Sequence, residues 1–209
     1  MAKITTEQAR NLKTTGSGGF FSLKNDNDKA RVKFLYKKTS DIETYAVHEV
    51  KVGNFTKHVD CLKDAEGNGN CPFCDKGFKL TARTFFKMYN VDKDASEVWD
   101  CSLKRASSIE NMLSMSRANE IANDCFEIIR HGVAGAKDTT YDVKYVGSDD
   151  VCVADLPEAP EIYGKFVWKK TAEEMEYYIT HNEFPRKEEQ KTSEPQNTEV
   201  KKRINRMAF

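Results

Sequence analysis

Residues 58–77, HVDCLKDAEGNGNCPFCDKG, place three cysteines within fourteen positions. Cys71-Pro-Phe-Cys74 sets two thiols on one tight turn, from which both reach a single tetrahedral ion at about 2.3 Å. Cys61 can close on the same ion from the end of a preceding strand, because the turn-rich Glu66–Asn70 lets the chain double back. A redox Cys-x-x-Cys pair would open a helix after a strand in a βαβ context, and no such alternation surrounds it.

The fourth ligand is His48 or His58. His58 stands three residues before Cys61 on an extended segment, and an odd offset sends the two side chains to opposite faces. ETYAVHEVKV (43–52) alternates as a strand, Gly53-Asn54 is a turn, and FTKHVDC (55–61) can pair back on it. That hairpin brings residue 48 opposite about residue 59 and onto the face of Cys61. The expected set is therefore His48, Cys61, Cys71 and Cys74. Four protein ligands leave no position for water, so one structural zinc ion is expected. Cys101, Cys125 and Cys152 lie in apolar, strand-like stretches and read as small core residues.

Further strands are expected at ARVKFLY (30–36), RTFFKMYNV (83–91), SEVWDC (96–101), DCFEIIRHG (124–132) and TTYDVKYV (139–146). YGKFVWKK (163–170) fits neither pattern cleanly. Ser107-Ser-Ile-Glu110 and Thr171-Ala-Glu-Glu174 have capping-box form, predicting helices over about 107–121 and from 171 to about Asn182. Hairpins dominate, which favours a mainly β barrel or sandwich with two short helices.

The chain holds 33 basic and 33 acidic residues, spread unevenly. Residues 149–183 carry nine acids and three bases, while residues 184–209 carry seven bases and four acids. No apolar run approaches a membrane span. The N-terminus lacks the apolar core of a secretory signal, so a reduced, cytoplasmic setting is expected. Residues 1–18 read as a flexible arm, 19–184 as the folded core with a zinc subdomain at about 45–80, and 185–209 as a disordered charged tail. There is no His-Glu-x-x-His motif, and GSGG (16–19) is not followed by a phosphate-binding lysine, so no catalytic residue is assigned and an enzyme is not expected.

A groove for unpaired nucleic acid combines cations with aromatic faces. On 83–91, Arg83, Phe85, Lys87 and Tyr89 share one face, which suits such a groove, while Phe86 and Met88 point inward. Tyr36 and Trp99 are further stacking candidates. Arg31, Lys33, Lys57, Lys104, Arg105 and Arg130 are candidate phosphate contacts.

The spacing His48-x12-Cys61-x9-Cys71-x2-Cys74, with ARVKFLY before it and RTFFKMYNV after it, resembles the zinc subdomain of tailed-phage single-stranded DNA-binding proteins of the gene-32-protein-like group. The resemblance covers about residues 18 to 147. It implies an OB-fold barrel with a zinc-bearing insertion that coats single-stranded DNA during replication, recombination and repair in the host cytoplasm. Implied partners are the DNA, further copies of the protein along it (through the arm's Lys3 and Arg10), and replication or recombination proteins through the C-terminal tail, with no membrane. Family members often end in an acidic segment, whereas this chain ends in the basic KKRINRMAF. The alternative from the residues is a zinc-stabilised protein-interaction or transcription adaptor module.

Overall fold

The alternating segment at 43–52 forms strand β2 (Thr44–Val52), which turns at Gly53-Asn54 into β3 (Phe55–Asp60). Gly53 sits at φ +57, the left-handed conformation that the tight turn requires and that glycine adopts without strain. The structure, a computed structural model, describes residues 19–136 and 138–186. The expected N-terminal arm, and the expected tail beyond Arg186, lie outside those residues.

The other strands are β1 (Lys29–Phe34), β4 (Leu80–Asn90), β5 (Ala95–Ser102), β6 (Asp124–His131), β7 (Thr140–Ser148) and the short β8 (Val167–Trp168). All eight join one sheet in the order β7-β6-β1-β4-β2-β3-β8, with β5 on β4. Pairing between strands is antiparallel except for β3 with β8, so the sheet is mixed. β4 is the branch point: Thr81–Thr84 pair with β2, Met88–Asn90 with β1, and β5 runs along Arg83–Asn90. The sheet stays open, and no ring of hydrogen-bonded strands closes it among the described residues.

Among the described residues three short α-helices accompany the sheet rather than two: α1 (Pro72–Asp75), α2 (Leu103–Leu113) and α3 (Ala172–His181). α2 starts four residues before its expected cap, because β5 runs straight into it from Ser102. Ser107 lies inside the helix, where its hydroxyl donates to the Leu103 carbonyl, a local bond open to serine within a helix. Ala106, Ile109 and Leu113 form the buried stripe. α3 starts as expected. Thr171 Oγ1 accepts from the Glu174 N–H, and the Thr171 N–H donates to the Glu174 carboxylate. Asn182, left-handed at φ +57, caps its end.

The main core lies on the β1–β4–β6 side, where Phe34 meets Phe86 and Phe126 edge-on at 5.5 Å each. A second cluster, with Val50, Val59, Phe73, Met175 and Tyr178, joins the β2–β3 hairpin to α1 and α3. A third holds Val47, Phe85 and Val98 beneath Ile162, Phe166 and Val167. β2 separates the last two, with His48 and Val50 facing the second cluster and Val47 the third. No helix among the described residues is long and apolar enough to cross a membrane.

Candidate functional site

The hairpin register pairs His48 with Val59 and Glu49 with His58. Pairing continues past β3, because the Cys61 N–H donates to the Ala46 carbonyl at 3.0 Å. His48 and Cys61 therefore share a face, and His58 takes the other. The chain then loops back through Gly69, at φ +101, where a Cβ would lie 3.1 Å from the Leu62 carbonyl oxygen. Cys71 caps α1 and Pro72 follows as its first residue, a place where the missing N–H costs nothing.

The ligand atoms of His48, Cys61, Cys71 and Cys74 all lie within 4.8 Å of one another. Cys61 Sγ is 3.6 Å from Cys74 Sγ, and His48 Nε2 is 3.4 Å from Cys71 Sγ and 3.5 Å from Cys74 Sγ. Metal–sulfur bonds of about 2.3 Å and metal–nitrogen bonds of about 2.0 Å make tetrahedron edges of about 3.8 Å (S···S) and about 3.5 Å (S···N). The contacts match those edges and far exceed the ~2.05 Å of a disulfide. The quartet can hold one metal ion, and three thiolates with one imidazole are the donors that suit zinc.

The cluster's electrostatics are compatible with a cation. Burial, together with the Cys61 and Cys71 thiols, pushes Cys74 up to about 12. Cys71 goes the other way: burial opposes its ionisation, but the backbone of Leu62 and Cys74 and the neighbouring thiols outweigh it. Burial also lowers the His48 pKa, favouring the neutral ring that binds metal. Phe73 packs edge-on against that ring at 5.6 Å. Tyr178 covers Phe73 and ties α3 to β2, its hydroxyl donating to the Lys51 carbonyl at 2.6 Å and accepting the Lys51 N–H at 3.1 Å. Cys101 lies in the main core, where burial pushes its thiol up to about 12. Cys125 and Cys152 are half-buried and stand outside the quartet.

The expected open face on β4 needs correction. Phe85 is 1% exposed, packed beneath Ile162 and Phe166 and edge-on to Tyr45 and His58. Four other candidates are equally committed to the interior. Lys33 is buried and binds Asp149 and the Ala122 and Asn123 carbonyls. Tyr36 is buried with its hydroxyl on the Phe85 carbonyl and Lys87 N–H. Trp99, 4% exposed, packs on Phe21 and Tyr141. Arg130 is buried and donates to the carbonyls of Gly132 and Val133 and to Thr139 Oγ1. The partners of Lys33 and Trp99 are distant in sequence, so local alternation gives no sign of them, whereas Tyr36 and Arg130 stand on the buried parity of their strands.

The remaining candidates reach the surface in different places. Arg31 is exposed and paired with Asp92, and Lys104 is exposed. Arg105 lies 4.7 Å over the Tyr141 ring. Lys87 pairs with Glu43 at 3.8 Å, and the Tyr89 hydroxyl donates to Asp94. Lys57 and Arg83 meet at a groove of about 420 Å³ beside the β3–β8 edge.

That groove contains residues the sequence reading missed. Phe20, 52% exposed, meets Phe166 edge-on at 4.7 Å. Lys57 Nζ lies 5.6 Å over the Phe55 ring and 5.4 Å over Trp168, and Lys165 Nζ lies 5.6 Å over Phe166. Phe55 itself is 69% exposed. Rings and cations thus alternate around the sheet edge, and the signal was present in YGKFVWKK as a lysine beside Phe166 and another beside Trp168.

The groove floor is polar. Asp100 Oδ2 meets His58 Nε2 at 3.1 Å, and Asp100 Oδ1 accepts from Arg83 Nε at 2.8 Å. Burial raises the Asp100 pKa, but His58 and Arg83 together outweigh it and hold the carboxylate below its usual value. A lowered folded-state pKa contributes stability that is present above the unfolded value and is lost as pH falls through the folded one. Urea unfolding followed from pH 6 downward should therefore show a loss of stability below about pH 4 that Asp100→Asn makes shallower. Comparison with known proteins adds no relative: neither a family model, a curated protein nor a solved structure matches this chain.

Proposed function

We propose that the protein is a non-enzymatic single-stranded DNA-binding protein whose β-sheet is pinned by one structural zinc ion. The observation that carries this is the gathering of Phe55, Lys57, Trp168, Lys165 and Phe20 around the β3–β8 edge, over the buried Phe166. Aromatic faces accept any base and lysines follow the phosphates, so such a surface binds unpaired strands with little regard to sequence. Zinc fits the S₃N quartet, and the ion holds the hairpin whose β3 edge borders the groove. In this reading the open sheet is a variant OB fold, wrapped around the core of Phe34, Phe86 and Phe126 without hydrogen-bonded closure. Replication, recombination and repair, and a phage origin, belong to the same proposal.

Tryptophan emission tests it directly. The chain has two tryptophans; Trp99 is buried in the core, and Trp168 is half-exposed in the groove. Oligo-dT should quench the emission at low salt. Trp168→Phe should remove most of the quench, and Trp168→Ala should weaken binding by about 1–3 kcal/mol. The apparent affinity should fall linearly with log salt concentration. Zinc-replete protein whose emission and mobility ignore oligo-dT would instead be a protein-interaction module.

A further inference from the structure

Glu49 is the groove's uncommitted group. It lies opposite His58 on the β2–β3 register, half-buried, and lines the groove with Arg83 and Asp100. Asp100 is taken up by His58 and Arg83. The Glu49 carboxylate feels the Arg83 charge, yet it makes no hydrogen bond or ion pair among the described residues. A bare carboxylate is an unexpected lining for a phosphate path, since it repels the backbone. Phe20, Phe166 and Trp168 wall the same space with rings, and about 420 Å³ is ample for one planar base.

We propose that this groove takes one nucleobase out of the bound strand and that Glu49 makes guanine the preferred one. This rests on the single-stranded DNA reading and adds a specificity to it. A carboxylate only accepts hydrogen bonds. Guanine alone among the bases presents two adjacent donors on its pairing edge, N1–H and the N2 amino group, which match the two oxygens. Thymine offers one N–H flanked by two carbonyls. Adenine and cytosine each set an amino group beside an acceptor nitrogen, so one carboxylate oxygen meets a lone pair. The rings supply stacking to any base, the carboxylate supplies the choice, and the phosphates pass along Lys57 and Lys165 at the rim.

The test uses the full chain and oligo-dT of about 12 nucleotides, long enough to fill a typical binding site, read by Trp168 quenching. One central dG should raise affinity about tenfold, within the range of a two-bond base contact. Deoxyinosine at that position, which lacks the N2 amino group, should return most of the gain without any change to the protein. Glu49→Gln should bring the ratio of dG to dT affinity close to one, a ratio that general misfolding does not mimic. Equal affinity for the dG and all-dT strands, or a dG preference that survives both deoxyinosine and Glu49→Gln, overturns the base pocket alone. Failure of every oligomer to bind overturns the pocket and the reading beneath it.

Discussion

Cys71→Ser is expected to abolish stoichiometric zinc and to unfold the β2–β3 hairpin, the α1 knuckle and α3 together. Serine's hydroxyl does not replace a thiolate, and the remaining three groups cannot close a tetrahedron. Structural zinc contributes about 10–16 kcal/mol in small zinc-dependent folds, against a total stability of about 5–15 kcal/mol for a typical domain. Losing even part of that term should cost about 5 kcal/mol or more, read as a large drop in the urea midpoint. The loss spreads because Phe73, Met175 and Tyr178 pack on the metal side of the hairpin and Trp168 packs against the same cluster. Oligo-dT affinity should therefore fall in the same variant. A variant that unfolds at the wild-type urea concentration would show that packing, not metal, holds this unit.

Phe85→Ala should be nearly as damaging, and its effect separates two readings of one strand. As a buried ring between Val47, Val98 and Ile162, Phe85 should cost about 3–5 kcal/mol of stability on truncation. As an exposed stacking residue it would leave stability untouched and weaken DNA binding by about 1–3 kcal/mol. Urea unfolding and oligo-dT titration of the same preparation distinguish them. The structure predicts the first outcome, with any affinity loss following from the loosened Phe166 above it.

The metal quartet was legible because every step in it is local. Strand alternation excludes His58, the two-residue turn fixes the register, and the register brings His48 opposite Val59. The capping box at Thr171 was legible for the same reason. The cover over β4 was not. Ile162 and Phe166 come from more than seventy residues further along the chain, and nothing within RTFFKMYNV reports their arrival. Lys33 misled in a related way, since it alternates like a solvent-facing cation but is paired with Asp149; Arg130 shares the buried face of Phe126 and Ile128, where loop carbonyls accept its hydrogen bonds. The aromatic–basic edge was visible as composition in YGKFVWKK. The edge itself forms only when β8 docks in parallel on β3 and brings Trp168 beside Lys57.

The account turns on a tetrahedral ion holding the β2–β3 hairpin so that its edge beside β8 can present rings and cations. X-ray absorption at the zinc edge, on protein purified under reducing conditions, tests this most directly. The account predicts one zinc per chain, with three sulfur neighbours at about 2.3 Å and one nitrogen at about 2.0 Å. Protein that is folded yet metal-free, or an ion surrounded by oxygen and water instead of the Cys61, Cys71, Cys74 and His48 set, would contradict it.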